Sequence, residues 1–355
     1  MMKNYLNFAL AGCARISSKH LDAIEQLPES KLVAVCDVNE KRLGEVVNKY
    51  NPSIGYGNYQ DMLRNENIDV VIICTPSGLH PEMTIEAADA GKDVIVEKPM
   101  ALNLADADDM IEACDKNSTR LFVVKQYRHH LPVIETRKAL DRGRFGEIYQ
   151  LSVVLKWTRD QEYFSSGSWR GTKNMDGGIF LNQAIHHLDL LRWFGGPIKR
   201  VYSIVNNLGH PGIETDDTGV ATVEFESGAL GSIDATICTY PRNLEGAIAI
   251  YGKNGSVKIG GLAADKTELW EFRDYTNEDG AYSSRLTNPA SIPNFAHRQF
   301  YQRVKSCILE NDSYQASVVD LGHLVDGFEG RKSLELAEAI YKSSALHQEV
   351  YLPIK

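Results

Sequence analysis

The residues Phe8-Ala9-Leu10-Ala11-Gly12-Cys13-Ala14-Arg15-Ile16-Ser17 decide the fold. An apolar run ends at Gly12, and a helix-period pattern opens a few residues later. That passage is the first turn of a strand–helix–strand unit, and its spacing is a degenerate G-x-G-x-x-G, with Ala14 in the second glycine's place and Ser17 in the third's. Backbone N–H groups and the helix dipole at such a turn attract a pyrophosphate. The methyl of Ala14 stands where the phosphates approach most closely, so they are expected slightly displaced. A strand-to-helix turn without a ligand is the alternative reading.

Outward from this stretch the pattern repeats. Strands are expected at 7–11, 32–36, 70–74, 94–96 and 121–124, with helices near 18–27, 40–50, 79–90 and 104–117. The strand runs are rich in Val, Ile and Leu on both faces, as buried parallel strands require. The fold class expected is α/β, with an N-terminal Rossmann-type doubly wound parallel sheet over residues 1–125. From 126 to 355 the pattern changes to an α+β domain on a largely antiparallel open sheet. Its strands are expected at 147–157, 199–207, 217–226, 230–239, 246–251 and 255–259, its helices at 132–142, 179–194, 294–309 and 318–345. The polar segment 260–293 reads as a long, partly irregular excursion.

Composition narrows the function classes. With 43% hydrophobic and 24% charged residues the chain reads as globular, and 355 residues suit two domains. No run approaches a membrane span, and the first residues lead straight into a strand without a signal-peptide pattern, so a cytoplasmic protein is expected. A net charge of −9 argues against a general nucleic-acid binder, although a local Arg cluster can still hold an anion. The six cysteines show no C-x-x-C pair and no metal-ligand spacing, so neither disulfide nor metal is expected.

The residues that carry chemistry fall at strand ends. Asp37 follows the second strand, near the place where a carboxylate pairs with ribose hydroxyls; it would repel a 2′-phosphate, so NAD is favoured over its phosphorylated form. Arg42 could stack on the adenine; a helix cap for Asp37 and a solvated face for Arg42 are the alternatives. Thr75-Pro76-Ser77-Gly78-Leu79-His80 and Glu97-Lys98-Pro99-Met100 stand at the carboxyl ends of later strands, where α/β sheets bind ligands. A Lys beside a cofactor that becomes cationic is expected to have a lowered pKa and to act as a general base, whereas a snorkelling strand-end Lys is the bland reading. Along the helix expected at 179–194, Asn182 and His186 are spaced i, i+4 and share a face, Asp189 lies a turn further, and His187 must point into packing. Asp176-Gly177-Gly178 would let a substrate approach the helix's first turn, although a lone helical His is commonly structural.

These elements, Gly12-x-Ala14-Arg15-Ile16, Cys36-Asp37, Thr75 to His80, Glu97-Lys98-Pro99 and Gly177-Gly178 through Asn182, His186 and Asp189, resemble the Gfo/Idh/MocA oxidoreductase family in order and spacing. Within it, the segments Val123-Val124-Lys125-Gln126-x-Arg128, Trp157-Thr158-Arg159, Trp169-Arg170-Gly171-Thr172, Phe180-x-Asn182-Gln183-Ala184 and Thr239-Tyr240-Pro241-x-Asn243 are similar to UDP-N-acetyl-2-amino-2-deoxyglucuronate 3-dehydrogenases of bacterial surface-polysaccharide pathways. The resemblance implies NAD as cofactor, held by Gly12, Ala14, Arg15, Ile16, Asp37, Arg42, Thr75, Pro76, His80, Glu97, Lys98, Gln126, Trp169 and Arg170. It implies catalysis by Lys98 and His186, oxidation of a UDP-sugar at its C3 hydroxyl, and a homotetramer built through the C-terminal sheets; another sugar or inositol dehydrogenase of the family, or a non-catalytic NAD-binding regulator, is the alternative. The substrate's carboxylate and diphosphate need cations, for which Arg159 and Arg170 are candidates, with Trp157, Tyr163 and Trp169 packing on the sugar. Asn182 joins them as a substrate contact. Tyr240, Arg242, Asn243 and His297 are candidates for the nucleotide end, or else sheet-face or interface residues. Ala14, Asn182 in place of an acidic residue, and Tyr127 in place of an asparagine depart from the wider family.

Overall fold

The computed structural model describes residues 5–277, 279–282, 286–310 and 323–354. It divides into two compact units, Met1–His129 with Pro293–Arg331 and His130–Ile292 with Lys332–Lys355. This differs from a single cut between 125 and 126. Helix Phe295–Leu309 buries Phe300, Tyr301, Val304 and Cys307 in the core formed by Leu6, Phe8, Leu10, Ile72 and Phe122, so the late segment belongs with the first unit.

In the first unit the parallel strands are β1 (Leu6–Ala11), β2 (Ser30–Cys36), β3 (Ile54–Tyr56), β4 (Val70–Ile73), β5 (Asp93–Val96) and β6 (Leu121–Val123). Their order is β3-β2-β1-β4-β5-β6, so the chain reverses direction across the sheet between β1 and β4. That switch point leaves a crevice outside the carboxyl ends of the strands. All four residues of β4 are fully buried, which explains its uninterrupted Val-Val-Ile-Ile run. Three-residue β3 was not expected from the sequence: it is an edge strand whose Ile54 is exposed, so it lacks the two-faced apolar signal.

The second unit is built on a sheet of β7 (Ile148–Lys156), β8 (Ile198–Asn206), β9 (Thr218–Phe225), β10 (Leu230–Thr236), β11 (Glu245–Gly252), β12 (Gly255–Gly260), β13 (Lys266–Phe272) and β14 (Val350–Tyr351), in the order β13-β12-β11-β7-β10-β9-β8-β14. Only β7 and β10 pair in parallel, so the sheet is mixed but mostly antiparallel. Strand β13 corrects the expectation of an irregular 260–293 segment. Its Thr267, Trp270 and Phe272 are buried, but the alternation breaks at half-buried Leu269, where the register with β12 shifts, and polar residues flank it on either side. The last long helix is Gly327–Leu346, and of the expected 318–345 the residues 318–322 lie outside those described.

The expected helix at 179–194 is two elements. Ile179–Gln183 forms a π turn, closed by the Ala184 N–H donating to the Ile179 carbonyl at 2.8 Å, and an α-helix follows from Ile185 to Gly195. A π turn spreads its residues more widely than 3.6 per turn, so the i, i+4 face drawn through Asn182 and His186 does not carry across the junction.

Candidate active site

In the first unit, five strand ends and their loops carry the expected cofactor residues other than Trp169 and Arg170. Gly12 has a φ of +95°, and a Cβ there would lie 2.6 Å from the Cys74 carbonyl carbon and 2.8 Å from the Thr75 nitrogen. Only glycine lets β1 close on the turn after β4. Ala14 and Arg15 are exposed at the tip and Ile16 is half-buried. Ser17 is buried and its hydroxyl donates to the Ala14 carbonyl at 2.6 Å, which gives the polar atom in the third glycine's place a partner. Helix Ser17–Glu25 has no side-chain cap.

Asp37 accepts from the Cys13 N–H at 2.8 Å through Oδ2 and from the Asn39 N–H at 2.7 Å through Oδ1. Asn39, not Asp37, caps helix Glu40–Tyr50 by accepting from the Arg42 N–H. The carboxylate thus sits at the end of β2, tied to the glycine turn, and its remaining lone pairs suit a diol. Arg42 is exposed in the helix's first turn. Cys13, Cys36 and Cys74 are buried and free, and burial, helped by Asp37, pushes the Cys13 thiol up to about 12. They act as small apolar side chains.

Thr75 and Pro76 are half-buried at the tip after β4. His80 lies behind that tip, with Nδ1 2.8 Å from the Pro99 carbonyl and Nε2 3.0 Å from the Thr75 carbonyl. Burial lowers its pKa, although the two carbonyls oppose the shift. Both ring nitrogens face backbone carbonyls, so His80 ties the Thr75 and Lys98 loops together.

Glu97 likewise faces inward. Its Oε1 is 2.9 Å from His20 Nε2, and its Oε2 accepts from the Lys98 N–H at 2.9 Å. Burial would raise its pKa, but the His20 hydrogen bond and charge, with Lys98 and His297 nearby, hold the carboxyl down at about 2. His20 Nδ1 in turn meets the Tyr301 hydroxyl at 2.8 Å. His297 is buried in this same cluster, its ring edge-on to His20 at 5.2 Å. His297, offered from the sequence for the nucleotide end or as a sheet-face or interface residue, thus lies on the late helix behind Glu97. His20 and Tyr301 were missed for the same reason, since nothing local marks them. Lys98 is half-buried, and Gln126 opens the 3₁₀ turn that follows β6, its Oε1 buried and without a partner among the described residues.

The second unit holds a cation–aromatic cluster. The Tyr163 ring lies under the Arg159 guanidinium at 5.1 Å and the Arg170 guanidinium at 4.3 Å. Arg159 also covers Trp157, and Arg170 covers Trp169, at 4.9 and 4.5 Å. Such contacts hold a guanidinium without neutralising it. Arg170 makes no salt bridge among the described residues, and its Nε is buried without a partner there. Arg159 donates to Gln183 Oε1 at 2.9 Å and Asn243 Oδ1 at 3.3 Å, while Asn243 also accepts from the Thr158 N–H at 2.8 Å. Asn243 therefore positions Arg159. Gln183 donates to the Tyr163 hydroxyl, and Asn182 donates to Asp176 and accepts from Gln183. Tyr240 is 90% exposed and takes no part in the cluster.

The turn into this region depends on glycine. Gly178 has a φ of +83°, and a Cβ there would lie 2.3 Å from Asp216 Oδ1. Asp216 accepts from the Ile179 N–H and the Tyr341 hydroxyl, and burial pushes its pKa up to about 6 against those bonds. His186 is buried, as is His187, whose pKa burial lowers to about 4. His187 packs edge-on to Trp157 at 6.2 Å, as the sequence reading expected of it.

Comparison with known proteins adds the following. A family model described as "Oxidoreductase family, NAD-binding Rossmann fold" matches residues 6–125, and one described as "GFO/IDH/MocA C-terminal domain" matches residues 133–258. The chain is 38% identical to the WlbA dehydrogenase of Bordetella pertussis, solved in complex with NADH and UDP-GlcNAcA, with a TM-score of 0.90 and 100% of both chains covered. The WlbA dehydrogenase of Chromobacterium violaceum, with the same two ligands, is also 38% identical, with a TM-score of 0.90 over 100% of this chain and 98% of that one. Myo-inositol 2-dehydrogenase of Thermotoga maritima is 28% identical over 349 residues, 95% of this chain and 96% of the relative. Among the described residues no helix is long and apolar enough to cross a membrane.

Proposed function

Because the chain belongs to the Gfo/Idh/MocA oxidoreductase family, with an NAD-binding Rossmann domain at its N-terminus, we propose that it oxidises the C3 hydroxyl of a UDP-linked N-acetylglucosaminuronate to the ketone. The observation that carries this reading is the pair of arginines on Tyr163. In a chain of net charge −9, two guanidiniums held by aromatic rings, one of them without a carboxylate partner among the described residues, suit an anionic sugar. An uncharged polyol has no need of them. The 38% identity to WlbA over the full length supports the same choice over inositol.

The first unit fits NAD: the Gly12 turn admits close backbone approach, Ala14, Arg15 and Ile16 line it, and Asp37 stands at the end of β2. Thr75, Pro76 and Gln126 border the same strand ends. NAD held by these residues would supply the hydride acceptor for the alcohol carbon. Lys98 takes the hydroxyl proton at Nζ, its backbone pinned by Glu97 and its loop by His80. His186 acts as a second base or relay. Arg159 and Arg170 hold the uronate carboxylate, Trp169 and Tyr163 pack on the sugar, Asn182 completes the sugar contacts, and Tyr240, outside that cluster, is kept for the nucleotide end. Trp169 and Arg170 are also kept as cofactor contacts, as the resemblance implies.

The test is NADH formation by the purified protein offered the UDP-linked uronate or myo-inositol. Saturable turnover on the uronate is expected; turnover confined to inositol would replace this reading with that of a polyol dehydrogenase.

A further inference from the structure

We propose that His210, Asp217 and Cys238 form a binding site for a divalent cation of the zinc class in the second unit. The three residues lie 7 and 21 positions apart, with no motif spacing, which is why the cysteine pattern alone pointed to no metal. The topology gathers them. His210 follows β8, Asp217 precedes β9 and Cys238 follows β10, and these three strands are neighbours in the sheet. His210 Nδ1 lies 2.9 Å from Asp217 Oδ2 and 3.7 Å from Cys238 Sγ, and the three ligand atoms all fall within 4.8 Å of one another.

A Cys–His–Asp set also suggests a nucleophile relay, but the geometry opposes it. A relay uses the two ring nitrogens for different partners, one for the acid and one for the thiol. Here the same Nδ1 faces both the carboxylate and the sulfur, while Nε2 lies 2.6 Å from the Arg159 carbonyl. Donation from Nε2–H to that carbonyl leaves Nδ1 with a lone pair in the neutral ring, directed at a carboxylate oxygen. A second ring proton would satisfy the carboxylate alone, whereas a cation between them would satisfy the carboxylate and the sulfur together. Holding a ligating imidazole by its other N–H on a backbone carbonyl is the arrangement by which metal sites fix the tautomer.

The remaining geometry agrees. Asp217 is oriented by the N–H groups of Leu208 and Gly209, at 2.9 and 2.7 Å. One nitrogen, one carboxylate oxygen and one thiolate suit zinc, and the exposure of Cys238 leaves room for water as the fourth ligand. On metal binding the S–H bond breaks, Sγ bonds to the cation and the proton goes to solvent, with no change of oxidation state. Because His210 holds the Arg159 carbonyl, the site would brace the segment that carries Arg159.

The test uses the full chain, treated with a chelator and titrated with cobalt(II). The expected result is a sulfur-to-cobalt charge-transfer band that saturates at one equivalent and is lost in Cys238→Ser, together with protection of Cys238 from alkylation by zinc. The other five cysteines are buried, so alkylation reports Cys238 without any substitution, which covers the case of a variant that does not fold. Absence of the band, or unchanged alkylation with zinc, would overturn the proposal, as would a band that persists in Cys238→Ser.

Discussion

Lys98 occupies the loop that everything around it holds still. Glu97 fixes its N–H, His20 and Tyr301 fix Glu97, and His80 fixes Pro99. If Lys98 moves the substrate proton, Lys98→Met should lower kcat by roughly 100- to 10,000-fold while NAD affinity, measured by fluorescence titration, stays the same. Near-normal turnover would remove Lys98 from the chemistry. His187 gives a residue-scale pH dependence. Its folded pKa of about 4 lies below its ordinary 6.5, so the unfolded chain binds the extra proton first, and stability falls as pH drops through that window. The stability is fully present above 6.5. Melting temperatures from pH 7 to 4 should therefore fall less steeply in His187→Asn than in the parent; equal slopes would contradict the assignment.

Among the elements, the glycine turn after β1 and the π turn after Gly178 make the sharpest demands on sequence. Gly12→Ala places a methyl against the backbone at Cys74, and overpacking of that kind costs about 1–3 kcal/mol, before the positive φ is counted. A lowered melting temperature with loss of NAD binding is expected, and an unaltered NAD titration would count against the role given to this turn. The parallel sheet was legible because buried strands carry apolar runs on both faces, and Leu6–Ala11 and Val70–Ile73 do. Strand β3 and the alternation of β13 were not, since one is a short exposed edge and the other is flanked by polar residues. The expected helix at 179–194 followed from apolar periodicity, which does not distinguish a π turn from an α turn over five residues. In the candidate site, Gly12, Asp37, Lys98, Arg159 and Arg170 were visible because strand ends and local motifs mark them. His20, Tyr301 and His297 were not placed, because tertiary packing alone brings them to Glu97.

The whole molecule carries an outward sheet face with Tyr202, Ile204, Val220 and Leu230 exposed on neighbouring strands. We propose that this face packs against other copies in a homotetramer. Light scattering should give a mass near four chains, and Ile204→Asp with Val220→Asp should reduce it; a monomeric parent would refute the assembly. The proposed activity rests on recognition of a charged sugar by the arginines around Tyr163, and one comparison tests that most directly. It is kcat/KM, with NAD in excess, for the UDP-linked uronate against the matching UDP-sugar with an uncharged C6. The account predicts a strong preference for the uronate that collapses in Arg170→Gln, since a charge-assisted pair is worth about 1.5–3 kcal/mol, roughly ten- to a hundredfold. Equal kcat/KM for the two sugars, or a preference that survives in Arg170→Gln, would contradict it.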